Sequence, residues 1–138
     1  MKKLIFIAAL ILLTGIVIGQ VLPKGTLIGT HQMTITLKPG VTMEQYMQFF
    51  SDRYLPESNK LDPDWQVYLV KGIRGNIFAN SFGLIHVLKS EQTRAKYYNA
   101  DGSVTELFKS GNEKLKPVMN ELNKLGTYVY TWTDWVVQ

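Results

Sequence analysis

Two histidines, His31 and His86, are the only side chains of this sequence that ordinarily titrate near neutral pH, and no cysteine accompanies them. Each stands in a run of alternating apolar residues, His31 with Met33, Ile35 and Leu37, and His86 with Phe82, Leu84 and Leu88. If both runs are strands whose apolar rows meet one core, parity puts both imidazoles on that side. There they are candidate catalytic residues, able to pass a proton to or from a ligand held beside them. A hydrogen-bonded place in a core or an interface explains the same two positions without chemistry.

Arg74 lies between Gly72 and Gly75, where glycines let the backbone approach a ligand and a guanidinium can hold a carboxylate or phosphate through two hydrogen bonds. An ordinary solvated hairpin tip is the plainer reading, since the pattern is not a phosphate loop. Arg94, Lys96 and Glu91 suit a solvated helix face. The aromatic content, 12% of residues, is high for so small a chain, and many of the rings carry polar tips. Tyr46, Tyr128, Tyr130 and Trp132, with Arg74, are candidate ligand-binding residues for an aromatic or polycyclic molecule; core and dimer contacts are the alternative use of such rings. Without cysteine there are no disulfides, zinc-thiolate sites or thiol nucleophiles. Asp62 and Asp64 flank a proline, Glu113 and Glu121 are scattered, and Asp134 is the one acidic residue inside a strand pattern. Neither a metal site nor a resident cofactor is expected from such a set.

The elements that must position these residues follow from periodicity. Trp65 to Lys71 and Ser81 to Leu88 read as a hairpin joined through Lys71-Gly72-Ile73-Arg74-Gly75-Asn76. Its second strand is apolar on both faces, because Gly83, Ile85 and Val87 alternate with the His86 row, so both sides need cover. Leu27 to Leu37 is a half-buried strand with Thr30, Gln32, Thr34 and Thr36 on its polar side. Thr42 followed by Gln45 makes a capping box for a helix with Met43, Tyr46, Met47, Phe50 and Tyr54 on one stripe, which Pro56 is expected to stop. Ser90 caps a helix through Tyr98, which breaks at Asn99 to Gly102. Helical spacing resumes through Val104, Leu107 and Phe108, continues to Leu125 and ends at Gly126, and Pro117 either kinks that helix or lies in its first turn. Thr127 to Val137 is a fourth strand, dense in aromatic and β-branched residues.

Ahead of this domain, Met1 to Gly19 reads as a secretory signal, with Lys2 and Lys3 before the apolar run Leu4 to Ile18 and mature protein expected from Gln20. The run is about 15 residues against the roughly 20 that a membrane span needs, so cleavage is preferred to an anchor. Residues 20–26 form a linker and 27–138 a single domain, as 46% hydrophobic and 19% charged residues allow. Removing Lys2 and Lys3 lowers the formal charge from +4 to +2. That leaves no basic stripe for nucleic acid and no polybasic membrane patch once the signal is gone. The expected location is exported, periplasmic or secreted. The absence of cysteine excludes a lipoprotein.

The element order, strand, helix, strand, strand, helix, strand, is that of an α+β ferredoxin-like β-α-β-β-α-β sandwich. It is a four-stranded antiparallel sheet with the first and third strands central and the helices on one face. With the Ser90 to Tyr98 helix after the third strand and the aromatic fourth strand, Leu27 to Val137 resembles the dimeric α/β-barrel group of ferredoxin-like proteins, best known for the antibiotic-biosynthesis monooxygenases. The resemblance implies a homodimer whose bare sheet faces pack together, which suits the two-sided third strand. Three functions are then in view. The first is an exported dimer binding a small, largely apolar or aromatic ligand between sheet and helices. The second is a cofactor-independent, monooxygenase-like enzyme in which His31 or His86 accepts a proton from a phenolic or quinol substrate. The third is a haem binder with one histidine on iron.

Overall fold

The computed structural model describes residues 22–75 and 79–138; the expected signal, its cleavage point and Asn76 of the hairpin turn lie outside the described residues. Four strands form one antiparallel sheet: β1 (Leu27–Leu37), β2 (Trp65–Val70), β3 (Ser81–Leu88) and β4 (Gly126–Val136). Their spatial order is β2-β3-β1-β4, with β1 and β3 in the middle. This is the expected ferredoxin-like α+β arrangement. Period-two patterning sets the faces. Met33 of β1 registers with Phe82 of β3, and Met33 and Ile35 with Tyr130 and Tyr128 of β4, while Val67 and Leu69 of β2 oppose His86 and Leu84. Directly opposed residues point the same way, so these rows form one face, and it is the buried one.

The first helical stretch begins at Thr42, whose hydroxyl accepts from the Gln45 amide while the Gln45 side chain accepts from the Thr42 amide at 2.8 Å. This reciprocal cap satisfies two backbone donors that the first turn leaves open. Helix α1 (Met43–Phe49) then runs into a π turn (Phe50–Tyr54) and α2 (Leu55–Asn59). Pro56 therefore does not stop the helix, contrary to the expectation from sequence. The Leu55 amide bonds back five residues to Phe50, and the proline sits in the first turn of α2, where a missing N–H costs little. At the far end Asn59 pairs with both backbone groups of Val67, accepting its N–H at 2.8 Å and donating to its carbonyl at 3.0 Å. That side chain serves the outer edge of β2 as a neighbouring strand would.

Ser90 caps α3 (Glu91–Ala95), which is shorter than the spacing suggested because Tyr98 turns away to bridge Val104. Thr105 caps α4 (Glu106–Leu125), and Pro117 lies in its interior on the exposed side, where water can serve the carbonyl the proline leaves without a donor. Helix α4 passes straight into β4 at Gly126, where an added Cβ would stand 2.9 Å from the Thr36 carbonyl oxygen. Only a glycine fits that approach to β1. The core joins Tyr46, Phe50 and Leu55 of the first helical stretch to Met33, Ile35, Phe82 and Leu84 of the sheet and Leu122 of α4. Among the described residues no helix packs on the opposite sheet face. Among the described residues no helix is long and apolar enough to cross a membrane.

Candidate functional site

The register that builds the core also aligns a row of rings across all four strands. His86 on β3 opposes Gly29 on β1, and His31 opposes Leu84, so the two histidines are diagonal neighbours on the helix-bearing face. Their ring centroids are 4.1 Å apart at a 34° tilt. Gly29 makes room for this, since a Cβ there would come within 3.3 Å of the His86 Cβ and 3.2 Å of an Asp134 carboxylate oxygen. On the β4 side Tyr130 stacks on His31 at 5.2 Å. On the β2 side Trp65 lies 5.8 Å from His86 and donates its indole N–H to His86 Nδ1 at 3.1 Å.

Between this row and the helices lies a cavity of about 580 Å³, within the range of pockets that hold small molecules. The sheet contributes His31, Met33, Leu84, His86, Tyr128 and Tyr130; Phe50 and Tyr54 of the π turn form one side, and Leu107, Phe108 and Leu115 of α4 another. The wider backbone of the π turn thus carries two of the wall rings, packed on each other at 4.6 Å. At the rim Tyr97 donates a short hydrogen bond to Asp62, which also accepts from the Asp64 amide at 2.8 Å and lies 3.8 Å from Lys96. Burial alone would raise the Asp62 carboxyl, but those hydrogen bonds and the lysine charge together bring it below its ordinary value. Tyr97 is pushed upward by burial and by the same carboxylate.

Burial also governs the imidazoles. His86 is driven down to about 3, chiefly by desolvation and further by His31. His31 is lowered by burial too, with the Asp134 carboxylate working in the opposite direction. Asp134 is held 3.1 Å from Arg94, whose guanidinium lies 5.1 Å above the Tyr98 ring. Both rings are therefore neutral near pH 7, so the cavity floor is polar but uncharged. His86 Nε2 is buried and finds no partner among the described residues, and an isolated polar group of that kind costs about 1–3 kcal/mol.

Of the residues singled out from sequence, His31, His86, Tyr128 and Tyr130 line one cavity. Tyr46 does not; it is fully buried in the core against Phe82, and its hydroxyl has no partner among the described residues. Trp132 registers with His31 but is 57% exposed on the outer strand and is not among the lining residues. Arg74 sits at the exposed hairpin tip, away from the cavity. Sequence reasoning passed over the bond from Trp65 to His86. The available signal was an indole at the start of the strand beside His86, a position that diagonal pairing brings within reach. Among the described residues no cluster of three His, Cys, Asp or Glu side chains could hold a metal ion.

Fold and site thus define a ferredoxin-like α+β domain with a ring-lined cavity between sheet and helices. No family model matches the chain, and no curated protein does. Among solved structures it is similar to SnoaB, a cofactor-independent oxygenase from Streptomyces nogalater. A mutant of that protein is 13% identical over 79% of this chain and 91% of that one, with a TM-score of 0.46. A further SnoaB structure is 12% identical over the same shares, with a TM-score of 0.45. A protein described as an antibiotic biosynthesis monooxygenase from Caulobacter crescentus CB15 is 16% identical over 82% of this chain and 92% of that one, with a TM-score of 0.38. These are likenesses of fold.

Proposed function

We propose that this chain is an exported, homodimeric α/β-barrel protein that binds a small, largely apolar or aromatic ligand between its sheet and its helices. The observation that carries the reading is the cavity of about 580 Å³ faced by His31, His86, Tyr128 and Tyr130. Rings supply apolar contact, while hydroxyl and imidazole groups supply the few polar contacts that orient a ligand. Export is supported by the lysine-headed apolar leader, and a dimer by the apolar, uncharged sheet face on which no helix of the described residues packs. Calorimetric titration of residues 20–138 with a panel of one- to three-ring aromatics tests the binding. At least one member should bind, and Leu84→Trp, which fills the cavity from its floor, should abolish that binding; a panel without a binder counts against the reading.

A specific observation favours a second reading, in which the ligand is a phenolic or quinol substrate oxidised without a cofactor. His31 lines the cavity as a neutral imidazole and makes no side-chain hydrogen bond among the described residues, so it is equipped to accept a phenolic proton. Simple hydroquinones under oxygen, followed by quinone absorbance, test this. Turnover that disappears in His31→Ala supports it; rates equal to the uncatalysed ones leave the protein a binder.

A further inference from the structure

The two histidines are not equivalent, because their nitrogens are differently committed. Nδ1 of His86 accepts the indole N–H of Trp65, and an indole nitrogen can only donate. Neutral His86 is therefore the tautomer with its proton on Nε2, and that N–H is the buried polar group without a partner among the described residues. Protonating His86 would place a second donor against the indole N–H, so this ring is a poor base. His31 makes no side-chain hydrogen bond among the described residues; it stacks on Tyr130 at 5.2 Å and meets His86 at 4.1 Å with a 34° tilt. Both rings line the cavity, so a bound ligand lies beside His86 as well as His31.

We propose that Trp65 is a positioning residue that fixes His86 as a hydrogen-bond donor, so that the cavity selects aromatic molecules bearing an acceptor oxygen, a phenol, phenolate or ring carbonyl. This rests on the reading of the cavity as a ligand site. It divides the labour of the pair. With a phenol, the O–H bond breaks, its electron pair stays on oxygen, the proton goes to His31, and His86 Nε2–H donates to the phenolate oxygen. The Asp134 carboxylate favours the charged His31, and a charged His31 in turn holds His86 neutral. A buried donor awaiting an acceptor also gives selectivity, because an analogue without the oxygen leaves it unpaired.

The test combines a tautomer measurement with binding. Long-range proton–nitrogen NMR on histidine-labelled residues 20–138 near neutral pH should show His86 protonated at Nε2 alone. A proton on Nδ1, or an imidazolium, overturns the assignment. Trp65→Phe should give a tautomer mixture, and an unchanged spectrum overturns the positioning role. By calorimetry, 1-naphthol should bind at least roughly tenfold more tightly than 1-methylnaphthalene, a single hydrogen bond's worth of discrimination. His86→Phe should remove that preference while still binding 1-methylnaphthalene, and His86→Gln, which keeps an N–H donor, should recover part of it. Equal affinity of the two probes for the unmodified protein overturns the donor role and leaves the ligand cavity standing. Binding of neither probe overturns both.

Discussion

At the scale of single residues, His86 couples the site to stability. It is buried neutral, with its pKa lowered from 6.5 to about 3. In the unfolded chain the same group takes up a proton once the pH drops below its ordinary value, so in that window the unfolded state binds more protons than the folded one. Stability contributed by His86 is therefore fully present above about 6.5 and is lost as the pH falls from there toward 3. His31 is shifted in the same direction and adds to the upper part of that window. Urea unfolding at a series of pH values should show stability falling by up to about 1.4 kcal/mol per pH unit for each such proton, beginning before the carboxylates titrate. His86→Phe should flatten that slope, and a slope unchanged by the substitution would show that the ring is already solvated in the folded protein. The positions and shared face of both histidines were legible in sequence, because parity along a regular strand needs no tertiary information. Their asymmetry was not, because it depends on a diagonal contact from Trp65 that only register and the Gly29 opening bring about.

At the scale of elements, strands were read more faithfully than helices. β1 and β3 have the bounds that alternation and flanking Pro and Gly residues gave them, since one buried face makes a one-residue slip costly. The first helix ran past its expected stop because a π turn placed Pro56 at the start of a new segment, a local adjustment that composition does not announce. Tyr46 and Trp132 share the sequence character of the cavity rings yet lie in the core and on the outer strand. Helical phase decided the surroundings of Tyr46, and position along β4 those of Trp132, which lies on the same face as Tyr128 and Tyr130 but beyond the cavity, and neither can be seen in residue type. Two glycines, one inside α4 and one at its end, give opposite tests of this packing. At Gly126 an added methyl meets the Thr36 carbonyl at 2.9 Å, so Gly126→Ala should destabilise the fold by about 1–3 kcal/mol. At Gly111, inside α4, the nearest atom is a Leu61 methyl at 3.5 Å, an ordinary contact. Gly111→Ala should therefore stabilise the protein by about 0.5–1 kcal/mol through helix propensity. A urea midpoint that does not fall for Gly126→Ala would mean that the junction of α4 and β4 is looser than its geometry indicates, and one that falls for Gly111→Ala would mean that the helix interior has no room for the methyl.

For the whole molecule, the sheet face that the described residues leave uncovered bears on assembly. Gln66, Tyr68 and Val70 of β2, Gly83, Ile85 and Val87 of β3, Ile28 to Thr34 at alternate positions of β1, and Val129 to Trp135 at alternate positions of β4 share that face, and none carries a charge. Tyr68, Val129 and Trp135 are 54%, 70% and 58% exposed, and the Trp135 indole is held by a 3.1 Å hydrogen bond to Thr30. A continuous surface of this kind is too apolar to be left in water at no cost, and its central rows are symmetric enough in character to meet a second copy of themselves. The partly polar threonine rows would sit at such an interface beside the Ile85 and Val87 row. Sedimentation velocity on residues 20–138 at micromolar concentration should accordingly show a dimer. Ile85→Asp puts a charge at the middle of the face without touching the buried core, so it should shift the protein to monomer and leave helix and sheet signals in circular dichroism unchanged. Ligand titration of that monomer then separates the two levels of organisation: the cavity lies on the other side of the sheet and within one chain, so an aromatic probe that binds the parent should bind the variant within a few-fold. An unmodified protein that sediments only as monomer would remove the dimer and leave the exposed face to a different partner.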